Sequence, residues 1–242
     1  MTATTTCPSF TDLRAFAAAT APKGADTPAA DPFASGRKVL PLRRGPVEVG
    51  AIHLHAGSGA VAALAGDWFF FAASGSASFA TIGGHVALDE GASCVLGSGT
   101  GFTWQAAAPA TLIYMRHTEA APGSAALTPV ALDTELQPSG APLAELLVGE
   151  TPSCRNHTQF RSADGLFTVG VWDSTPYHRR AMRYAHYELM VLLEGSVTFV
   201  DELGREGTFA KDDVFLIEQG ASCSWESRVH AAKVFAIYRP LA

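Results

Sequence analysis

The feature that most constrains the fold is an internal repeat within the 242 residues. Gly50 stands eighteen residues before Trp68, and Gly170 stands eighteen before Glu188. Each glycine follows a valine, Val49 or Val169, and the offset between the copies is 120 residues. Residues 68–79 (WFFFAASGSASF) align with residues 188–199 (ELMVLLEGSVTF): an apolar run, a Gly-Ser pair and a second apolar run. After a shift of one residue, 95–104 (VLGSGTGFTW) aligns with 216–225 (LIEQGASCSW), placing Gly99 on Gly220 and Trp104 on Trp225. Both halves close on an apolar segment ending in arginine, LIYMR and FAIYR. One unit of roughly ninety residues has been duplicated.

From Val39 onward, short apolar runs broken by Gly, Pro, Asn or Asp predict many short strands. LMVLL and WFFF are apolar on both alternating faces, as where one face lines a barrel and the other packs against a second layer. About eight short strands with a tight glycine turn remove their edges by closing into a jelly roll. The expected fold class is therefore all-β, with two tandem jelly-roll barrels and few short helices. Residues 1–37, rich in Thr, Ala, Pro and Gly, read as an N-terminal arm with a short helix over 11–19 and Thr11 as its N-cap. Residues 38–119 form the first barrel, 120–160 a connector with a helical stretch at 142–148, and 161–242 the second barrel.

Composition narrows the function classes. At 48% hydrophobic and 17% charged, the chain can bury a core and is not disordered over most of its length. A net charge of −6 gives no basic field, so nucleic acid is not an expected partner. No apolar run reaches the roughly 18 residues of a bilayer span, so no membrane partner is expected. No secretory signal opens the chain, and four scattered cysteines form no disulfide framework; the expected location is cytoplasmic. Gly-x-Ser-x-Gly, Walker, dinucleotide-binding, Cys-x-x-Cys and His-Glu-x-x-His motifs are all missing.

The second copy resembles the cupin superfamily. A glutamate and a glycine with six residues between them, Glu188 and Gly195, match its first motif. Its second is similar to KDDVFLIEQGASCSW, with Asp213, Ile217, Gly220 and Trp225 in place, Glu218 where proline is usual and Cys223 where histidine is usual. Trp172, Tyr187-Glu188, Leu193-Glu194-Gly195, Asp213, Gly220, Trp225 and Lys233 resemble the subgroup containing ureidoglycine aminohydrolase and ethanolamine-utilisation cupins. Two copies over about residues 40–242 look like a bicupin. Cupins that hold a metal place paired histidines before the glutamate; here those positions hold Ala181 and Arg183, or Met182 and Tyr184. The aminohydrolase set of glutamate, two histidines and glutamine is also missing, so that activity is not implied.

Alternation along a strand puts Tyr184, His186, Glu188 and Met190 on one face, which the resemblance turns into the barrel. Cys223 and Trp225 share a face, and Lys233 enters from the last strand. The first copy has Gly66, Trp68, Phe102 and Ala110 in place of His186, Glu188, Cys223 and Lys233, so the first barrel reads as scaffold and the second as the site. Two arrangements stay open. In one, His186, Glu188 and Cys223, with His178, hold a divalent transition metal such as Mn, Fe, Zn or Ni. In the other the interior is metal-free, Glu188 pairs with Lys233, and Glu188, His186 and Lys233 do acid–base work or simply support the fold. Arg179, Arg180 and Arg183 border the pocket as candidate anion ligands, with Tyr184 and Trp225 as further ligand contacts. His53 and His55 form a doublet outside this constellation, while His85, His117 and His157 read as surface residues. The expected ligand is a small polar, anionic metabolite, and the expected assembly a homodimer.

Overall fold

The structure is a computed structural model and describes residues 9–22 and 31–241. Of the N-terminal arm, residues 1–8 and 23–30, Cys7 among them, lie outside the described residues. The chain opens with β1 (Thr11–Asp12), α1 (Leu13–Thr20) and β2 (Lys38–Val39). The first copy then runs β3 (Val47–Leu54), β4 (Gly57–Val61), β5 (Asp67–Ser74), β6 (Ala77–Thr81), β7 (Gly84–Leu88), β8 (Ser93–Leu96), β9 (Phe102–Ala106) and β10 (Ala110–His117). Between the copies lie β11 (Leu127–Pro129), β12 (Gln137–Ser139), a 3-10 turn (Ala144–Leu146) and β13 (Leu147–Val148). The second copy comprises β14 (Cys154–Arg161), β15 (Phe167–Ser174), β16 (Tyr177–Arg183), β17 (Tyr187–Glu194), β18 (Ser196–Val200), β19 (Glu206–Ala210), β20 (Val214–Ile217), β21 (Ser222–Ser227) and β22 (Ala231–Tyr238).

The strands form four sheets, two for each of two compact units, except that residues 159–169, with the end of β14 and the start of β15, fall with the N-terminal unit. In the N-terminal unit the sheets run β11-β8-β5-β10-β3-β2 and β4-β9-β6-β7. In the C-terminal unit they run β1-β20-β17-β22-β15-β14-β12 and β13-β16-β21-β18-β19. The order β8-β5-β10-β3 recurs as β20-β17-β22-β15, and β4-β9-β6-β7 as β16-β21-β18-β19, so the sequence repeat is a repeat of topology. The double-sheet, almost purely antiparallel organisation is the expected all-β jelly roll.

The turn between the two central strands of each copy depends on glycine. Gly195 has φ 76, and a Cβ there would lie 2.1 Å from the His230 carbonyl oxygen. Gly75 stands in the same way, with φ 68 and the Pro109 carbonyl oxygen 2.5 Å from its would-be Cβ. Both the left-handed backbone and the close approach exclude a side chain.

The N-terminal unit is filled with aromatic carbon. Trp68 stacks on Phe70 with ring centroids 5.6 Å apart, and the fully buried Phe33 meets Phe70, Phe79 and Phe102 edge-on. Such rings together close the interior to water. Phe33 comes from the segment read as an N-terminal arm, which thus supplies a plug to the first barrel. Phe10, from the same segment, packs on Phe199 and Phe209 of the second.

Three local expectations are corrected. Thr11 does not cap a helix: it pairs with Leu216 in β1, and the helix begins at Leu13. The stretch at 142–148 forms one 3-10 turn, because Leu147 and Val148 are drawn into pairing with Arg179 and His178. His117 is not a surface residue; it is buried, with Nε2 2.7 Å from Asp164 Oδ2. His85 and His157 are exposed.

Candidate functional site

The polar cluster lies inside the C-terminal unit, on strands from both of its sheets. The interior of β17 receives Glu188 and Met190, and the residues leading into that strand deliver Tyr184 and His186. Next to β17, β22 carries Lys233 directly opposite Leu192. From the facing sheet, β16 contributes Tyr177 and Arg179, and β21 contributes Cys223 and Trp225, with Arg179 opposite Trp225. Trp172 reaches in from β15 to meet Trp225 at 5.8 Å, edge to face.

Glu188, Lys233 and His186 form one connected group, all at most 7% exposed. The Lys233 ammonium donates to Glu188 Oε1 at 2.7 Å and lies 3.2 Å from the Met190 sulfur. It also sits 4.8 Å from the Trp172 ring centroid and 5.0 Å from that of Trp225, a cation held between two aromatic faces. His186 Nε2 is 3.2 Å from the other carboxylate oxygen, Oε2. Burial alone would raise the Glu188 carboxyl, but the Lys233 charge and the His186 hydrogen bond outweigh it and hold it well below the usual carboxylate range. An ionised carboxylate only accepts, so Nε2 is the donor, and the other ring nitrogen is Nδ1. That Nδ1 is buried and has no hydrogen-bond partner.

Arg179 is the second pole of the site. It is 3% exposed and forms no ion pair among the described residues. Nη1 donates to the carbonyl oxygens of Arg180 and Cys223, at 3.2 and 3.4 Å. Nη2 donates to the Tyr184 hydroxyl at 3.2 Å, and the guanidinium carbon stands 5.6 Å from the Tyr184 ring centroid. Burial pushes the Tyr184 phenol far above its ordinary range despite the pull of Arg179, so the hydroxyl keeps its proton for donation. The Tyr184 and His186 rings are 5.3 Å apart, which brings the two poles together.

The other arginines do not join them. Arg180 turns outward, is exposed and donates to the carbonyls of Glu145 and Leu147. Arg183 is exposed at the end of β16. A bulge separates them from Arg179: Arg179 pairs with Trp225 and Met182 with Cys223, three steps on one strand against two on the other. The first copy has no such bulge, since Gly59 pairs with Trp104 and Val61 with Phe102.

The four candidate metal donors are not assembled. His178 pairs with Glu226 on the opposite face of β16 from Arg179. Burial pushes the Cys223 thiol up to about 12, so it is no thiolate. The Glu188 carboxylate is already bonded by Lys233 and His186. Among the described residues no three of His, Cys, Asp and Glu form a metal-holding group. His53 bonds Thr20 and Thr111 rather than pairing with His55.

Strand register also corrects one residue of the first copy. Lys233 lies opposite Leu192, and Leu112 lies opposite Ala72, so the counterpart of Lys233 is Leu112 and not Ala110. Arg179, Glu188, Cys223 and Lys233 thus replace Gly59, Trp68, Phe102 and Leu112. Sequence reading placed Met190 on the inward face without giving it a role, and overlooked Tyr177, which stacks on Trp225 at 5.6 Å.

Residues 161–235 match the family model of the EutQ-like cupin domain. A crystal structure of a Pseudomonas syringae pv. tomato str. DC3000 protein of unknown function, from the DUF861 family, is 28% identical. Their alignment covers 95% of this chain and 99% of that one, with a TM-score of 0.83. A cupin 2 conserved barrel domain protein from Leptotrichia buccalis is 10% identical, with 84% of this chain and 88% of that one covered and a TM-score of 0.60. A mutant salicylate 1,2-dioxygenase from Pseudoaminobacter salicylatoxidans is 11% identical, over 80% of this chain and 71% of that one, with a TM-score of 0.53. No curated protein matches in sequence. The fold is that of the cupins. No helix among the described residues is long and apolar enough to cross a membrane.

Proposed function

We propose that the protein is a bicupin whose C-terminal barrel binds a small anionic metabolite, while its N-terminal barrel is scaffold. The observation that carries this reading is Arg179, a buried guanidinium with no ion pair among the described residues, which meets the same Tyr184 side chain as His186, whose buried Nδ1 has no partner. Burying an unpaired charge costs several kcal/mol, and a bound anion relieves that cost. The bound molecule lies beside an imidazole whose tautomer is fixed by Glu188, so His186 is the group that exchanges a proton with it. In this arrangement Glu188 positions His186 and Lys233 keeps Glu188 ionised. The donor set does not fit a metal, and no step is assigned to one.

A thermal-shift panel of small carboxylates on the wild type and on Arg179→Met tests the reading. Anion binding raises the wild-type Tm in proportion to occupancy and leaves Arg179→Met unmoved. Equal shifts in both proteins would remove Arg179 from the site.

A second reading, a non-catalytic barrel in which the polar group serves the fold, is favoured by one observation: Glu188 and Lys233 neutralise each other without any ligand. Turnover or binding that disappears in His186→Asn while Tm stays constant supports the first reading. A fall in Tm with binding intact supports the second. The protomer is proposed to be cytoplasmic and to pair as a homodimer.

A further inference from the structure

The residues of the C-terminal site are closed off from water: Arg179, His186, Glu188, Cys223 and Lys233 are each at most 7% exposed. A ligand reaches them only when part of the barrel wall moves, so a binding interior requires an entrance. Part of that wall is filled from outside the repeat.

On β19 the inward positions are Gly207, which pairs with Phe199, and Phe209, which pairs with Val197. Gly207 supplies no side chain, and Phe10 takes the gap: a Cβ on Gly207 would lie 2.5 Å from the Phe10 ring. That ring meets Phe199 and Phe209 with centroids 6.1 and 6.2 Å away, and Phe199 in turn meets Trp225 at 5.4 Å. The first copy fills the same position by itself. There Val86 pairs with Phe79, the counterpart of Phe199, and lies buried in the core. The scaffold barrel thus has a built-in side chain where the barrel with the polar site borrows one.

The borrowed ring is lightly tethered. Its strand pairing is limited to Thr11 with Leu216 and Asp12 with Phe215, whereas β17 and β22 pair along almost their whole length. Beyond that, Ser9 Oγ donates to Asp201 Oδ2 at 3.1 Å, and Asp201 forms a β-bridge with Cys223. A short pairing opens at lower free-energy cost than a long ladder. Resting on the anion-binding reading above, we infer that residues 9–12 are a removable closure of the C-terminal barrel, with Phe10 as its stopper, and that their release beside β19 and β20 admits the ligand.

Cys223 reports on this directly, because its side chain lies in the interior and its backbone bridges to the residue that holds Ser9. The test is native-state alkylation of the full chain with iodoacetamide at pH 8, each cysteine followed by peptide mass mapping. Phe10→Ala is expected to speed labelling of Cys223 by roughly tenfold or more through easier local opening. Cys154, on β14 at the far side of the same sheet from β1, should keep its wild-type rate. Phe10→Ala with Gly207→Val gives the second copy the built-in side chain of the first and should return Cys223 to the slow wild-type rate. Cys223 labelling unchanged in Phe10→Ala, equal acceleration of Cys154, or a double variant as fast as Phe10→Ala overturns the closure. Calorimetric titration of the wild type with acetate, glycolate and oxalate separates this from the reading it rests on. Failure of all three to bind overturns the anion-binding reading and the entry role together, whereas binding without the labelling response overturns the closure alone.

Discussion

Glu188 shows how a single buried residue sets the chemistry of its neighbours. Its carboxyl is lowered in the folded state, so it contributes stability above the ordinary carboxylate range, and that stability is lost as pH falls below that range. Glu188→Gln or Lys233→Met alone leaves one buried charge unpaired and should cost about 3–5 kcal/mol in urea unfolding. The double variant should recover most of that loss and flatten the acid side of the stability profile. If the two single losses simply add, the groups are not coupled. Cys223 offers a second residue-level check. With its thiol buried and pushed up to about 12, it should resist alkylation at pH 8 in the native protein and react only on unfolding. Rapid native labelling of Cys223 would mean that its burial is wrong.

At the scale of elements, parity carried the sequence reading as far as regular pairing goes. Tyr184, His186, Glu188 and Met190 were placed on one face by period-2 alternation, and the pattern that did so is local. Arg179 was not separable from Arg180 and Arg183, because counting back from Tyr184 in twos turns Arg180 inward. The bulge between Arg179 and Met182 reverses that parity, and a bulge is set by cross-strand register rather than by the strand's own residues. The same blindness assigned Lys233 to Ala110, two residues short of Leu112, since gaps in turns move the register. The plug at Phe33 was illegible for another reason: its partners come from distant strands, and nothing near it in sequence announces them. Phe33→Ala should cost about 3–5 kcal/mol in the N-terminal unit, read by chemical denaturation. A neutral result would reduce Phe33 to a loose cover. Gly195→Ala should cost about 2 kcal/mol or more, because it combines left-handed backbone with a clash against a carbonyl.

Across the whole molecule, one topology has been filled in two ways. Aromatic and aliphatic side chains close the first copy, and the second places charged and hydrogen-bonding groups at equivalent strand positions. The repeat was legible because a duplicated topology needs its glycine turns and apolar strands in the same places. The balance of charge inside the second copy was not, because it depends on which side chains face inward together. Sedimentation equilibrium at several concentrations tests assembly: a mass near twice 25.3 kDa is expected, and a species of 25.3 kDa throughout would exclude the homodimer. The central claim, that the second barrel holds a small anion on Arg179, is met most directly by a crystal structure of the protein grown with glycolate. The account predicts ligand density within hydrogen-bond reach of the Arg179 guanidinium and His186 Nδ1. Density elsewhere, or an interior unchanged at saturating glycolate, would contradict it.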